Sequence, residues 1–353
     1  MIAHPSIRLR AERLLALVAT LVAALLIGGC AGAGEPAQST QAQPVTAAVL
    51  PSWRDGTARE AIIRFVDDVT REGSPAYVPP AERIAVFDND GTLWSEQPLY
   101  FQLVFMLEEV KAAAPKHPEW RNNPAFRALA AHDQAALAGQ QKEVMKLIAI
   151  ANSGMTVDDY DKAIRAWLAS AKHPKFQRRY TELVYQPQLE LLAYLRAHGF
   201  KTFIVSGGTI EFMRVYAERV YGIPPEQVIG SSQGVKFEMR DGKPVLVREP
   251  KLDFVDDGPG KPVGIYRNIG RRPVLAFGNS DGDLQMLQYT ASQQGPHLAL
   301  IVHHDDAARE FAYDRQSKIG KLDRAWDEAR ANGWIIVSMK DDWNVIYPQD
   351  TGQ

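Results

Sequence analysis

Asp88 and Asp90 stand two residues apart, directly after the apolar run Ile84-Ala85-Val86-Phe87 and within the stretch Asp88-Asn89-Asp90-Gly91-Thr92-Leu93. Carboxylates at this spacing on a chain leaving a strand project to the same side and can share a divalent cation through oxygen. Such a pair suits a phosphate ester. One carboxylate attacks phosphorus, and the other protonates the leaving oxygen and then activates water. A cation and a lysine would neutralise the phosphoryl oxygens. Two more polar clusters share this setting: Ser206-Gly207-Gly208-Thr209 follows Thr202 to Val205, and Gly278-Asn279-Ser280-Asp281-Gly282-Asp283 follows Val274 to Phe277.

The elements that must position these clusters are legible as periodicity. Ile84 to Phe87, Thr202 to Val205, Val274 to Phe277, Leu298 to Val302 and Ile335 to Val337 are short apolar runs with helical patterns between them. Alternating strands and helices predict a doubly wound, Rossmann-like α/β domain around a parallel sheet, in which ligands sit beyond the carboxyl ends of the strands. The folded body is expected to open near Trp53, with Thr57 and Glu60 forming a capping box ahead of Ile62, Phe65, Val66 and Val69. Thr209 is expected to cap a helix carrying Ile210, Met213, Tyr216 and Ala217 and stopping at Gly222 and Pro224. That would leave Ser206, Gly207 and Gly208 in a loop whose backbone N–H groups face an anion.

Asp88-Asn89-Asp90-Gly91-Thr92 resembles the DxDGT signature of the haloacid dehalogenase superfamily, and the chain as a whole looks phosphoserine-phosphatase-like over residues 83–340. The resemblance implies that Asp88 is the nucleophile forming an aspartyl phosphate and Asp90 the general acid and base. Ser206 would bind the phosphoryl group and Lys261 would be the third-motif lysine; Thr92, Gly207 and Gly208 would contact substrate. Asp88, Asp90, Asn279 and Asp283 would hold Mg2+. Lys261 lies 18 residues ahead of Asn279, a spacing that favours it over Lys251, although a lysine in Gly260-Lys261-Pro262 could equally be a solvated loop charge. Asn279 departs from the family pattern, which has Asp there, so affinity for the cation should fall unless Asp281 or Asp283 compensates. His303-His304-Asp305-Asp306 also follows a predicted strand and could reach the site, although a polar loop with surface histidines is the simpler reading.

Ser206 lies 118 positions after Asp88, far more than a crossover requires. The intervening patterns are helical: Leu99, Leu103, Met106 and Leu107; Phe126 and Leu129; Val144, Leu147 and Ile148; and Thr156 capping Tyr160, Ile164, Trp167 and Leu168. This predicts an inserted helical cap over residues 95–186, between core segments 53–94 and 187–353. Trp94, Tyr100 and Phe101 at its start read as core or hinge residues rather than a cage for a quaternary ammonium. Val235, Phe237 and Met239 alternate with Lys236, Glu238 and Arg240 before Asp241-Gly242, and Val245 and Val247 resume the pattern, which predicts a small β-hairpin flap.

Arg8, Arg10 and Arg13 precede an apolar run, Leu14 to Gly29, too short for a membrane span and shaped like a secretory signal. It ends in Ile27-Gly28-Gly29-Cys30, which resembles the lipobox of bacterial lipoproteins. Residues 1–29 are therefore expected to be removed, with Cys30 lipidated and residues 30–52 serving as a flexible tether on the periplasmic side of a membrane. Cys30 is the single cysteine of the 353 residues, which excludes a disulfide scaffold and a thiolate metal cluster. The net charge of −2 becomes −4 without residues 1–29, so nucleic acid is not an expected partner. The reading is an exported, membrane-anchored, Mg2+-dependent hydrolase of a small phosphomonoester. The alternatives are a non-catalytic binding lipoprotein with a weakened metal site and a phosphomutase; dehalogenation has no use for Asp90.

Overall fold

The computed structural model describes residues 49–131 and 140–348. Strand β1 (Ile84–Phe87) is buried at every residue. It pairs in parallel with β2 (Lys201–Thr209) on one side and β5 (Leu275–Gly278) on the other. Strand β3 (Val228–Arg240) extends the sheet beyond β2, while β6 (Leu298–Asp305) and β8 (Ile335–Ser338) extend it beyond β5, all in parallel. The edges are antiparallel additions, β4 (Lys243–Phe254) on β3 and β7 (Ala312–Tyr313) on β6. The winding reverses beside β1, and that reversal opens a crevice at the carboxyl ends of β1 and β5.

The alternation along β1 divides the hydrophobic core. Ala85 and Phe87 pack with Ile62, Val66 and Val69 of α1 (Thr57–Thr70) and with Leu191, Leu192 and Leu195 further along the chain. Ile84 and Val86 face the other layer, built from Ile265, Leu287, Ala325 and Ala329. Burial on both faces is what a continuous apolar run without polar alternation requires. Each large aliphatic side chain so buried contributes roughly 1.5–3 kcal/mol.

Several local expectations change. Helix α1 is preceded by Gly56 without a side-chain cap, so the Thr57–Glu60 capping box does not form; Thr57 already lies inside the helix. The body opens before Trp53: Leu50 and Ser52 are buried, and Ser52 donates through N and Oγ to Glu190 at 2.8 and 2.6 Å. Residues 1–48 lie outside the described residues, and with them the signal, Cys30 and most of the expected tether. Strand β2 continues through a bulge to Thr209, so Ser206 to Gly208 end a strand rather than float in a loop. The following helix is split into Ile210–Arg214 and Ala217–Tyr221 and closed by Gly222 at φ 69°.

Helices α2 (Phe101–Ala113), α3 (Pro124–Ala130), α4 (Gln141–Ala151) and α5 (Val157–Ser170) occupy the stretch between the first two polar clusters. Thr156 caps α5, accepting from Asp159 N at 3.0 Å. Val110, Trp120, Ala125, Leu129, Leu147 and Ile148 form a small core of their own. Phe101 and Phe105 of α2 and Tyr160, Ile164 and Trp167 of α5 instead join the main core, which roots these helices in the body. Trp94 is fully buried and stacked on Tyr216 at 4.6 Å, a core role that leaves no open aromatic cage. The β3–β4 hairpin turns at Asp241 and Gly242 with φ of 50° and 75°, and it grows directly from the main sheet. Among the described residues no helix is long and apolar enough to cross a membrane.

Candidate active site

The crevice gathers the three polar clusters. Asp88 N donates to Phe277 O at 2.9 Å, extending the β1–β5 ladder and fixing where the Asp88 side chain leaves the sheet. The chain then curls tightly, with Asn89 O accepting from the N–H groups of Thr92, Leu93 and Trp94. Gly91 sits at φ 74°, and a Cβ there would lie 2.0 Å from Asn279 Nδ2 and 2.4 Å from Glu96 Oε1, so only glycine fits the curl.

Lys261 is the centre of the charge arrangement. It lies in the first turn of helix α9 (Gly260–Asn268), which reaches under the β2 end, so it is not the solvated loop charge its flanking Gly and Pro allowed. Its Nζ donates to Asp88 Oδ1 and Asp283 Oδ1, both at 2.6 Å, and to Val205 O at 2.9 Å. All three ammonium protons are used. Burial opposes the charge, but the carboxylates of Asp283 and Asp88 outweigh it and hold the lysine above its ordinary pKa. Burial and the repulsion of Asp283 push the Asp88 carboxyl well above the usual carboxylate range, against the pull of Lys261. Asp90 is raised to about 6 by burial, opposed by hydrogen bonds from Trp94 and Asn89. Trp94 Nε1 donates to Asp90 Oδ1 at 2.8 Å.

Asp283 does not take the metal-ligand place expected of it, because both its oxygens are engaged. Oδ1 holds Lys261, and Oδ2 accepts from Asn279 N and Ser280 N at 2.9 and 3.0 Å, tying the loop together. Asp281 is also occupied: its Oδ1 accepts from Asp323 N and Ala325 N at 3.0 and 2.9 Å. Asp283 therefore cannot make good the charge that Asn279 lacks, and Asp281 has only Oδ2 left. Glu96 stands there instead. Its Oε1 accepts from Asn279 Nδ2 at 2.7 Å and from Tyr313 OH at 2.8 Å. A carboxylate can only accept, so this contact fixes the amide with Oδ1 turned away from Glu96. Burial, opposed by the Tyr313 hydrogen bond and reinforced by repulsion from Asp90, raises the Glu96 carboxyl well above its ordinary value.

Thr92 is fully buried; its hydroxyl donates to Asn279 Oδ1 at 3.3 Å and it lines no part of the cavity, so its place is beneath the curl and not against a substrate. Ser206, Gly207 and Gly208 do line the cavity, with Ser206 Oγ accepting from Gly208 N at 3.1 Å. The bulge is braced by Gln102, whose Nε2 donates to Thr209 Oγ1 at 2.7 Å and whose Oε1 accepts from Thr209 N at 2.8 Å. His303 and His304 lie on β6 and not in a loop. His304 is buried, stacks on Tyr313, and its Nε2 is 2.8 Å from Gly91 O, so that nitrogen carries the hydrogen and pins the curl from behind. Glu96 and Gln102 carried no signal in the sequence. His304 did, as part of a polar stretch at the end of the Leu298 to Val302 run.

Asp88, Asp90, Glu96, Lys261 and Ser206 to Gly208 floor a cavity of about 600 Å3, bounded above by α2, α4 and the β4 strand and by residues following it. Among the described residues no group of three or more His, Cys, Asp or Glu side chains is arranged to hold a metal ion. Asp88 and Asp90 offer oxygen donors at the cavity floor, the type a hard divalent cation takes, while the Asn279 amide lies outside the cavity lining with its Oδ1 accepting from Thr92. Two buried carboxylates held above their ordinary pKa with one ammonium between Asp88 and Asp283 fit such a cation, which would supply the missing positive charge.

The pattern of haloacid dehalogenase-like hydrolases matches residues 85–288, more than half of the chain. No curated protein matches it. Among solved structures, a protein of unknown function from Bordetella pertussis Tohama I is 14% identical, with 72% of this chain and 98% of that one covered and a TM-score of 0.46. A phosphoserine phosphohydrolase-like protein from Francisella tularensis subsp. tularensis SCHU S4 is 16% identical, with 71% and 98% covered and a TM-score of 0.35. Cytosolic 5'-nucleotidase IIIB bound to cytidine is 14% identical, with 83% and 90% covered and a TM-score of 0.41. With the Asp88 and Asp90 curl, the buried Lys261 and the 278–283 loop converging at the strand ends and the family pattern spanning all three, the chain belongs to the haloacid dehalogenase-like hydrolases.

Proposed function

We propose that this hydrolase cleaves phosphomonoesters through a phospho-Asp88 intermediate and uses Mg2+. The observation that carries the reading is the Lys261 ammonium bridging Asp88 and Asp283 at 2.6 Å each, directly under a cavity whose floor also holds Asp90 and Ser206 to Gly208. Lys261 occupies Oδ1 of Asp88 and so presents Oδ2 as the attacking oxygen. Attack by Oδ2 forms an aspartyl phosphate as the ester P–O bond breaks, and Asp90 gives its proton to the leaving oxygen. Asp90, now a carboxylate, takes a proton from water as that water attacks phosphorus, releasing phosphate and restoring Asp88. Trp94 Nε1 holds Asp90 Oδ1 throughout. The Ser206 hydroxyl accepts from Gly208 N and keeps its own proton to donate to a phosphoryl oxygen. Asp88 and Asp90 would hold Mg2+, which when bound supplies electrostatic neutralisation of the phosphoryl oxygens.

The test is turnover of an aryl phosphate with and without Mg2+, beside Asp88→Asn and Asp90→Asn. Wild-type turnover that needs Mg2+ and is lost in Asp88→Asn supports the reading. Equal, negligible turnover in all samples favours a non-catalytic binding protein, and an Asp88→Asn variant that matches wild type removes the nucleophile. We also propose, from the run ending at Cys30, that the chain is exported and lipid-tethered on the periplasmic side of a membrane. Incorporation of labelled fatty acid that survives Cys30→Ser would overturn that.

A further inference from the structure

The cavity is far larger than a phosphoryl group, and its two ends differ in chemistry. The floor is charged. The walls carry Leu103 and Met106 from α2, Met145 and Ile148 from α4, and Leu252 and Val255 from the β4 side. Met145, Leu252 and Val255 are about half exposed, at 47%, 52% and 53%, an apolar surface left for something to cover. The α2 and α4 parts of the wall are braced together, because Val110, Leu147 and Ile148 share one small core while Phe101 and Phe105 root α2 in the body. Several polar groups along the cavity are engaged, although the exposed Asp257 carboxylate is not. Gln102 spends both amide ends on Thr209, Lys146 is paired with Glu143 at 2.6 Å, and Lys251 is paired with Glu249 at 3.1 Å. Among the described residues no arginine lines it. A phosphorylated amino acid would set its ammonium and carboxylate mostly against methionine, leucine and isoleucine side chains, with only Asp257 and the exposed, already paired Lys146 and Lys251 to answer them, and charge laid on apolar surface without a partner is disfavoured. An alkyl or aryl chain would bury the same surface favourably, and methionines adapt to varied apolar shapes.

We infer that the substrate is the phosphate monoester of an apolar alcohol, aliphatic or aromatic, whose chain lies between α2, α4 and β4. This rests on the phosphatase reading and sharpens it. The experiment compares kcat/KM for ethyl, butyl and hexyl phosphate with that for phosphoserine and glycerol phosphate, and measures binding of the matching alkylphosphonates to wild type by calorimetry. Full burial of a methylene is worth about fourfold. The expected result is therefore a rise of at least tenfold from ethyl to hexyl phosphate, affinity rising in the same order for the phosphonates, and phosphoserine below butyl phosphate. Met106→Lys and Met145→Lys should flatten the slope with chain length. A flat series, or phosphoserine as the best ester, overturns the inference while Asp88-dependent turnover still supports the phosphatase reading. If no ester is turned over, that reading fails, and the phosphonate series by itself decides whether the apolar subsite exists.

Discussion

Replacing Lys261 with methionine removes a buried charge at nearly constant volume and leaves Asp88 and Asp283 facing each other without the ammonium between them. Each carboxylate lies 2.6 Å from Nζ. At an effective dielectric constant of about 20, each such attraction is of order 6 kcal/mol before the cost of dehydrating the three groups is counted. That cost offsets much of the gain, and breaking a buried pair by removing one partner leaves a net loss of about 3–5 kcal/mol. For a body of this size the melting temperature should fall by about 6–20 °C. The loss should depend on pH. Burial and Asp283 already push the Asp88 carboxyl up, and without Lys261 it rises further. A carboxyl raised in the folded state costs nothing below its unfolded pKa and costs progressively more as pH rises toward the folded value. The deficit should therefore be larger at pH 8 than at pH 5. Thermal unfolding followed by circular dichroism, without added Mg2+, measures both. A variant melting within 2 °C of wild type at pH 8, or losing equally at both pH values, would refute the reasoning.

Gly91→Ala forces a Cβ to within 2.0 Å of Asn279 Nδ2 at φ 74°, so it should cost about 1–3 kcal/mol of stability and lower aryl phosphate turnover at least a hundredfold; steady-state kinetics on the folded variant check this. Glu96→Gln replaces the charged acceptor of the Asn279 amide, and Asn279→Asp sets two carboxylates against each other across a 2.7 Å contact, so each should lower stability in denaturant titrations without added Mg2+. The double variant exchanges amide and carboxylate and should regain about 0.5–3 kcal/mol relative to the sum of the singles; strict additivity would show that the two side chains do not act as a pair. Asp256 is buried, and burial, opposed by Lys261 and by a backbone hydrogen bond from Ser206, raises it from 3.8 to about 7. A raised acid loses stability as pH climbs between those values. Asp256→Asn should therefore gain on wild type between pH 4 and pH 8, by up to about 4 kcal/mol in denaturant titrations, and a constant difference would exclude the buried ionisation.

The strands and the nearby polar clusters are legible in the chain because each strand is a short apolar run with a charged or glycine-rich end. A strand buried on both faces admits no polar alternation, so its limits show in composition alone. Asp241-Gly242 announces the hairpin for a similarly local reason: both positions need positive φ. The capping box at Thr57 failed because one residue of register decides whether a hydroxyl lies before the helix or inside it. Glu96 was not legible, and His304 was legible only as a residue near a strand end, without its partner. Glu96 meets Asn279 across 183 positions and His304 meets Gly91 across 213, and no local pattern encodes such a meeting.

The sequence by itself determined the order of the elements, the kinds of chemistry carried at their ends and the departure at Asn279. Tertiary structure decided which oxygens remain free. Asp283 is consumed by N–H groups and Lys261, Asp281 is held through Oδ1, Thr92 is sealed beneath the curl, and Glu96 stands beside the neutral amide. A residue's type sets what it can donate or accept, but which partner takes that capacity depends on groups brought together only by the closed sheet and its packed helices.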